Sequence, residues 1–195
     1  IKKLYKSNPI IYPNSLNTKK ILNFKNSSLI KLPKKYIFYC GSYKYMPNKI
    51  AIDFLIKNIL PSLKNKGIRL VLTGGYDKKI NDDHLINMDI VDKDKLKTIY
   101  KKSIALVAPI KVGFGTKLKI IEGICFGSNI ITTKKGIEGI KFDTIKNVKI
   151  TSNNNQMIKY IEYFKNTKKK HVPSKKILNF YSVDKNTAKL FEIIR

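Results

Sequence analysis

The sequence is poor in arginine and in acidic residues, which limits how its basic charge can be interpreted. Only Arg69 and Arg195 are arginine among 40 basic residues, which face 13 acidic ones and produce a formal net charge of +27. Proteins that read DNA bases favour arginine, because its guanidinium group makes two hydrogen bonds to guanine. The lysines are also spread along the whole chain instead of forming one block. We therefore predict that the chain binds no specific nucleic acid.

The positive charge has two further interpretations, and both stay open. The chain is rich in Ile, Asn, Lys, Tyr and Phe together, which is the composition that AT-rich codons produce. Alternatively, the lysines attract phosphate groups or provide a weak contact with an anionic membrane surface. Composition alone does not separate the two, so the charge is a poor guide to function.

Cysteine and long apolar runs are also scarce. Cys40 and Cys125 each lie in an apolar run, so a disulfide framework is excluded and a reduced, intracellular chain is the simpler interpretation. No apolar run reaches the ~20 residues that span a bilayer, and no signal-peptide pattern opens the chain. We expect a cytoplasmic protein, with peripheral contact at the inner face of the membrane as an alternative. Because the first residue is Ile1 and not Met, we expect a piece of a longer protein.

Strand-like and helix-like segments alternate along most of the chain. Hydrophobic residues make up 43% of it, enough to form a core. The apolar runs that predict strands are residues 36–40, 68–73, 88–91, 104–108, 129–133 and 148–151. The segments with helical spacing are residues 50–63, 92–100, 116–126, 153–165 and 183–194. This alternation predicts the α/β class, with a Rossmann-like parallel sheet covered by helices on both faces.

The chain divides into three parts by composition. Residues 1–32 are rich in Asn, Ser and Lys and are interrupted by Pro9 and Pro13, which predicts an interdomain linker or arm. Residues 33–170 carry the alternating segments and form the predicted Rossmann-like domain. A basic break at residues 168–173 leads into a C-terminal segment and helix at residues 171–195.

The loop after the fourth predicted strand has the pattern of an anion site. Gly113 and Gly115 let the backbone approach a ligand closely and adopt positive φ. The next helix is predicted to begin at about Thr116, so its free N–H groups and the positive end of its dipole face the loop. Lys117 and Lys119 add mobile charge beside it. The pattern indicates a phosphate or diphosphate site, although a simple tight turn with solvated lysines has the same spacing.

Glu122 lies on the same predicted helix, ~9 Å from its start along the axis. A carboxylate at that distance can accept two hydrogen bonds from a ribose diol whose diphosphate sits at the helix tip. The neighbours Ile121 and Ile124 are apolar. Because a buried acid without a partner is costly, this setting favours a ligand as the partner of Glu122.

Two more loops are expected at the same edge of the sheet, where ligands of open parallel sheets bind. Gly41 begins the loop after the first predicted strand. Glu138 lies in a loop flanked by Gly136 and Gly139. For Glu138, contact with a ligand and a purely structural role in the loop are equally compatible with the sequence.

The stretch 108–133 resembles the donor-binding segment of family 4 (group 1) glycosyltransferases of the GT-B fold. One branch of that family has Ala-Pro, a Gly-Gly-Gly-Thr-Arg-x-Lys loop, Leu-Glu-Ala, Gly-x-Pro-Val-Val and Thr. The corresponding residues here are Ala108-Pro109, Gly113-Phe114-Gly115-Thr116-Lys117-Leu118-Lys119, Ile121-Glu122-Gly123, Gly127-Ser128-Asn129-Ile130-Ile131 and Thr132. Further similar segments are Ile11-Tyr12-Pro13-Asn14, residues 38–42 with Met46-Pro47-Asn48, Ile90-Val91-Asp92, and residues 136–140. All of them occur in the family's order.

The resemblance implies the C-terminal, nucleotide-sugar-binding half of a two-domain enzyme of the hexosyltransferase type. In the family, the final Glu of a Glu-x7-Glu motif contacts the donor's ribose, a role that falls on Glu122. The first Glu would fall on Phe114 and is absent, as it commonly is in the Gly-rich branch. Lys117 replaces the usual Arg and so keeps the charge without the bidentate fork. The donor-binding residues that we predict are Gly41, Gly113, Gly115, Thr116, Lys117, Lys119, Glu122 and Glu138.

The implied partners are a nucleotide sugar as substrate, a saccharide or lipid-linked acceptor, and a missing N-terminal GT-B domain. That domain would hold the acceptor and the catalytic base, so no catalytic residue is assigned in this chain, and the final helix is expected to return toward it. No cofactor and no metal are predicted, because helix N–H groups and lysines can stabilise the departing diphosphate.

Two rival functions remain open at this stage. The first is a GT-B-related nucleotide-sugar epimerase, which would need more carboxylates around the site than Glu122 and Glu138 provide. The second is a non-catalytic basic domain, which would bind polyanions in a strongly salt-dependent way and ignore nucleotide sugars.

Overall fold

The centre of the fold is a parallel β-sheet. A computed structural model describes residues 12–22, 30–78, 81–141, 147–167 and 171–194 of the chain. Within this described part the strands are β1 (Tyr36–Cys40), β2 (Arg69–Thr73), β3 (Leu85–Asn87), β4 (Leu106–Ala108), β5 (Ile130–Thr132) and β6 (Val148–Ile150). They are ordered β3-β2-β1-β4-β5-β6, and every neighbouring pair is parallel. The predicted Rossmann-like parallel sheet is therefore confirmed.

Helices connect the strands and cover the sheet. They are α1 (Thr18–Leu22), α2 (Met46–Phe54), which continues through a π-helical segment (Leu55–Ile59) into α3 (Leu60–Lys64), α4 (Lys93–Lys102), α5 (Leu118–Cys125), α6 (Asn154–Thr167), α7 (Lys175–Phe180) and α8 (Val183–Ile194). Every residue of β1, β4 and β5 is buried, which requires cover on both faces of the sheet. Of the helices in the described residues, none has the length and apolar character to cross a membrane.

Local sequence signals account for where α2 and α4 begin. Pro47 lies in the first turn of α2, where its missing N–H removes no hydrogen bond. The Asp92 carboxylate caps α4 by accepting hydrogen bonds from the backbone N–H groups of Asp94 and Lys95. The acidic start that the sequence predicts for this helix is confirmed.

Strand β3 lies earlier in the chain than the predicted strand at 88–91. Leu85 pairs with Leu70, and Asn87 pairs with Leu72. After that the chain turns at Asp89, whose φ is +51°, and Ile90 is 81% exposed. The prediction of this strand's position was wrong because β3 is a short edge strand paired with β2, so its side chains are only weakly buried. The apolar residues that follow it belong to a loop.

Helix α5 begins two residues later than the sequence predicts. Gly115 has φ +69°, which a right-handed helix does not accommodate, and Lys117 is the N-cap of α5 in an extended conformation. The sequence analysis also missed α1 and α7, whose five and six residues are too short to show a helical period.

The described part of the N-terminal arm is attached to the C-terminal helices. The Leu16 N–H donates to the Tyr181 carbonyl at 2.7 Å, and the Val183 N–H donates to the Leu16 carbonyl at 2.9 Å. The Asn186 amide also donates to Ser15 Oγ at 2.7 Å. The rest of the predicted arm (1–11 and 23–29) and residues 168–170 of the basic break lie outside the described residues. The domain boundaries at 32/33 and 170/171 stay predictions.

Candidate functional site

The candidate site lies where the sheet's connections reverse direction, at the carboxyl ends of β1 and β4. From these two neighbouring strands the chain leads to opposite sides of the sheet, so the loops that follow them frame a crevice. The two sides of the crevice lie close together: a Cβ atom added to Gly113 would lie 3.4 Å from Pro47 Cγ at the start of α2 and 3.9 Å from the Tyr45 hydroxyl of the first loop. Gly41 of the first loop lies beside Lys119, which follows the second loop.

The glycines of the second loop adopt backbone conformations that other residues avoid. The φ angles are +113° at Gly113 and +69° at Gly115. Among the described residues, no heavy atom other than those of its chain neighbours lies within 4 Å of an added Cβ at Gly115, so the space beside this residue is open to a ligand. The predicted need for positive φ is confirmed at both positions.

Thr116 and Lys117 connect this loop to the start of α5. Thr116 Oγ1 accepts a hydrogen bond from the Asn14 amide of the arm. Lys117 Nζ donates to the Gly115 carbonyl at 2.5 Å. Burial, followed by the nearby charge of Lys135, lowers the pKa of Lys117. An anion at the loop would oppose both effects and raise the pKa of Lys117, because a nearby negative charge stabilises the ammonium form.

Lys119 is held in place by a polar cluster, whereas the sequence analysis expected a mobile charge. Its Nζ donates at 2.7 Å to the Tyr39 hydroxyl and at 2.7 Å to Asn48 Oδ1, and it lies 4.0 Å from the centroid of the Tyr39 ring. Tyr39 itself donates to Asn48 Oδ1 at 2.8 Å. Burial lowers the pKa of Lys119 to about 8. The cluster fixes a lysine in the first turn of α5, beside the crevice.

Gly41 leaves the space that this lysine cluster occupies. Its φ is +147°, and an added Cβ would lie 2.6 Å from Asn48 Nδ2 and 2.8 Å from Lys119 Nζ. The Asn48 amide also donates to the Ser42 carbonyl at 3.0 Å, which closes the loop around it. Any side chain at position 41 would therefore displace Asn48 and Lys119.

Glu122 lies one turn further along α5 than Lys119 and lines a cleft of about 360 Å³. The Tyr100 hydroxyl donates to Glu122 Oε2 at 3.1 Å. Burial raises the pKa of Glu122, while the Tyr100 hydrogen bond and then the charges of Lys93 and Lys119 act in the opposite direction. The other residues of the cleft are Leu16, Asn17, Lys20, Ile21, Lys93, Asp94, Leu96, Lys97 and Phe126. The lining residues belong to the arm, α1, α4 and α5 with its C-cap, and none of them lies in the two crevice loops, so α5 connects the crevice at its start with the cleft at Glu122. A partly buried carboxylate at the wall of such a cleft can accept hydrogen bonds from a ligand.

Glu138 also follows a strand at its carboxyl end, but its side chain is paired with Lys135. Its carboxylate forms an ion pair with Lys135 at 2.6 Å, and this interaction lowers the pKa of Glu138. Gly139 lies against the second loop, since an added Cβ there would be 3.2 Å from Thr116 Cγ2. Phe114, at the position of the family's first Glu, is 95% exposed.

Sequence analysis missed three polar side chains of the site: Tyr39, Asn48 and Tyr100. The similar segments contain Tyr39 and Asn48, and a predicted helix contains Tyr100, but nothing in the sequence marks these three as site residues. Tyr39 and Tyr100 looked like ordinary core residues, because a tyrosine in an apolar pattern does not reveal what its hydroxyl contacts. Within the described residues, no group of three or more His, Cys, Asp or Glu side chains could hold a metal ion.

Solved structures that match this fold include GT-B enzymes. Sucrose-phosphate synthase from Thermosynechococcus elongatus matches with a TM-score of 0.69 and 14% identity over 100% of this chain and 54% of its own. A glycosyltransferase from Rickettsia africae matches with a TM-score of 0.69 and 14% identity over 94% of this chain and 56% of its own. The pneumococcal O-GlcNAc transferase GtfA, solved with UDP and GlcNAc, matches with a TM-score of 0.58 and 15% identity over 94% of this chain and 38% of its own.

The chain therefore spans roughly half the length of these neighbours or less. No curated protein sequence matches it significantly. The sequence profile of the family described as "Glycosyl transferases group 1" matches residues 34–162, which is most of the chain and contains both crevice loops and α5. The resemblance noted in the sequence is confirmed, and the chain belongs to the group 1 glycosyl transferases.

Proposed function

We propose that this chain is the donor-binding half of a glycosyltransferase. It binds a nucleoside-diphosphate sugar of the hexose type for transfer to a saccharide or lipid-linked acceptor held by an N-terminal GT-B domain. The observation that carries this proposal is the arrangement of α5. Its N-terminus opens at the crevice between β1 and β4, Lys119 lies in its first turn, and Glu122 lies one turn further at the wall of a cleft.

The start of α5 suits the diphosphate. The first N–H groups of a helix have no partners within the helix, and the dipole adds positive potential there. Gly113 and Gly115 keep side chains away from this helix end. Lys117 and Lys119 place two ammonium groups beside it, one at the helix N-cap and one fixed by Tyr39 and Asn48.

Glu122 suits the ribose. Lys119 and Glu122 are three residues apart, ~4.5 Å along the helix axis. The ribose of a nucleotide whose diphosphate lies at the helix end can therefore reach Glu122. The partly buried carboxylate would there accept hydrogen bonds from the ribose hydroxyls. For Glu138 we keep contact with the donor sugar as a second role, which requires its ion pair with Lys135 to open.

Catalysis by this half would be electrostatic. The helix N–H groups and the lysines would stabilise the negative charge that develops on the departing diphosphate. We propose no metal, since these groups already supply positive charge at the diphosphate. The base that activates the acceptor is assigned to the N-terminal domain.

A thermal-shift panel tests the proposed function. The chain is melted with UDP, GDP, dTDP and their hexose conjugates, because a ligand that binds only the folded state raises its melting temperature. We expect one nucleotide to give a saturable rise, and its sugar conjugate to act at the same concentrations. A rise with polyanions such as heparin and none with any nucleotide would favour the polyanion-binding domain instead.

A further inference from the structure

Tyr100 contacts the back of Glu122 from inside the protein core. Its hydroxyl oxygen lies 3.1 Å from Glu122 Oε2, 2.9 Å from the Lys119 carbonyl oxygen and 3.2 Å from Cys40 Sγ. The Tyr100 side chain is fully buried. Its ring is fixed by an edge-on contact with Phe38 at 4.7 Å and by Phe126 at 5.1 Å between ring centroids. The hydroxyl therefore has little freedom to move away from these partners.

The hydroxyl can satisfy these partners only in certain ways, because it has one proton to donate. The Glu122 carboxylate and the Lys119 carbonyl both accept hydrogen bonds, and the carboxylate is the stronger acceptor because it carries charge. The thiol of Cys40 can donate its own proton to the tyrosine oxygen. The Tyr100 proton then stays available to Glu122, while the Tyr100 oxygen accepts the thiol proton of Cys40 at the end of β1.

This contact also constrains how the carboxylate can turn. With Oε2 bound to a fixed hydroxyl, rotation of the Glu122 carboxylate group is restricted. Oε1 keeps its capacity to accept hydrogen bonds, and Glu122 lines the cleft. A ligand in the cleft therefore meets an acceptor whose orientation is already set, which reduces the entropy lost on binding.

We propose that Tyr100 is a positioning residue that orients Glu122 to recognise the ribose hydroxyls of the nucleotide, and that it thereby sets the preference of the site for ribonucleotides. The proposal rests on the proposed function. It adds a second residue, out of reach of the ligand, that controls ribose recognition by its hydrogen bond alone.

The chain offers a matched control for this role. Tyr100→Phe removes the hydroxyl and keeps the ring that packs on Phe38 and Phe126. Tyr36→Phe also removes a hydroxyl from a fully buried tyrosine, one that donates to the Ile99 carbonyl at 3.0 Å. Tyr36→Phe loses one buried hydrogen bond, whereas Tyr100→Phe also loses the hydroxyl contacts with Cys40 and the Lys119 carbonyl. Tyr36→Phe thus controls for the loss of a buried hydroxyl, and only Tyr100→Phe changes Glu122. Glu122→Gln is the reference for direct loss of the carboxylate.

Calorimetric titration with UDP and with 2′,3′-dideoxy-UDP measures the ribose preference of each variant. If the chain selects guanine, GDP and its dideoxy form replace them. We expect the wild type and Tyr36→Phe to prefer the ribonucleotide by about tenfold or more, and both Tyr100→Phe and Glu122→Gln to lose most of that preference. Affinity for the dideoxy form should stay nearly unchanged in Tyr100→Phe, because that ligand has no hydroxyls for Glu122 to bind.

The pH dependence of binding gives a second readout that a merely structural role would not move. The Tyr100 hydrogen bond lowers the pKa of Glu122, so its loss should make UDP binding decline at a higher pH on acidification than in the wild type or in Tyr36→Phe. All variants retain the other charged groups near Glu122, which are Lys20, Lys93, Asp94 and Lys97 at the cleft and Lys119 on α5.

The outcomes of these titrations separate a failure of the Tyr100 role from a failure of the proposed function. If Glu122→Gln loses the ribose preference and Tyr100→Phe keeps it with an unshifted pH profile, the positioning role is wrong while the proposed function stands. If the wild type binds UDP and GDP no better than their dideoxy forms, ribose recognition by Glu122 and with it the role of Tyr100 are overturned. If the wild type binds no nucleoside diphosphate at all, the proposed function itself fails.

Discussion

Lys119 combines partial burial with a position beside the proposed diphosphate site. Burial lowers its pKa to about 8, so in the free chain a large fraction of this lysine is neutral slightly above that pH. A bound anion favours the charged form of a neighbouring lysine and raises its pKa. Diphosphate binding should therefore draw a proton from the solvent, in a pH range where an ordinary lysine is already charged.

We predict that nucleoside-diphosphate binding takes up roughly half a proton or more at about pH 8.5. The measurement is calorimetric titration in two buffers of different ionisation enthalpy, whose binding heats then differ. The difference should shrink strongly in Lys119→Met, with any remainder coming from Lys117, whose pKa is also lowered. It should persist in Lys49→Met, which removes an exposed lysine near the Tyr43 ring in the same region. Equal heats in both buffers for the wild type would show that Lys119 does not respond to the ligand.

Gly115 is the residue whose size matters most in the second loop. We predict that Gly115→Val weakens diphosphate binding by about tenfold or more, because valine tolerates φ +69° poorly and its side chain enters the space left for the phosphate. Lys117→Ala should weaken it less, since the helix end remains intact. Titration with the nucleoside alone should detect little change in either variant.

Gly67→Val is the control for backbone strain. Gly67 has φ +60° and, like Gly115, has no heavy atom of the described residues within 4 Å of an added Cβ, its chain neighbours aside. It comes just before β2 and so lies at the amino ends of the strands, whereas the crevice lies at their carboxyl ends. Both valine variants should lose similar stability, and Gly67→Val should keep normal affinity. Normal diphosphate affinity in Gly115→Val would mean that the loop is only a turn.

At the level of elements, Asn186 of α8 joins the arm to the C-terminal helices, with one hydrogen bond to the arm and one to α7. Its amide donates to Ser15 Oγ at 2.7 Å and to the Phe180 carbonyl at 2.9 Å. We predict that Asn186→Ala destabilises the chain by about 1–3 kcal/mol, because buried partners lose their hydrogen bonds. It should also speed hydrogen exchange at the Leu16 and Val183 amides, which pair the arm with the start of α8.

Asn147→Ala is the matched control for the arm. Asn147 and Asn186 are equally buried, at 6% exposure, and the Asn147 amide donates to the Ser128 carbonyl at 2.8 Å. This variant should lose stability without selectively exposing the Leu16 amide. Protection at Leu16 that is unchanged in Asn186→Ala would show that the arm is held by other contacts.

The elements also show what the sequence can predict. The buried strands β1, β2, β4 and β5 were predictable, because strands covered on both faces need continuous apolar runs. The helix at Glu122 and the glycine loop were predictable from spacing. Strand β3 was misplaced, since an edge strand needs little burial.

The polar contacts of the site were not predictable in the same way. The contacts of Lys119 with Tyr39 and of Glu122 with Tyr100 join residues 80 and 22 positions apart in the chain. They come together only because Tyr100 of α4 packs on Phe38 of β1 while α5 packs on the neighbouring strands β4 and β5. Local spacing holds no information about such pairs, so the sequence named the two charged residues without their partners.

For the whole molecule, the net charge of +27 is a competing cause of any anion binding. Diffuse lysine charge binds polyanions without a defined site, and such binding weakens steeply as salt rises. Nucleotide binding at α5 would instead depend on the nucleoside and on a few fixed groups. Diffuse polyanion binding and nucleotide binding at α5 can therefore be distinguished in the same chain by varying the salt concentration and the ligand.

The decisive measurement is calorimetric titration of the wild-type chain with UDP, GDP and dTDP, with the matching nucleosides and with inorganic diphosphate, at low and at physiological salt. We predict one site that binds one nucleoside diphosphate at least about tenfold more tightly than either its nucleoside or inorganic diphosphate, and that keeps this preference as salt rises. DNA and RNA should bind without sequence preference, and they should be released as salt rises from the low to the physiological concentration. Binding of inorganic diphosphate, nucleotides and nucleic acids alike, lost together at physiological salt, would contradict a nucleotide site at α5.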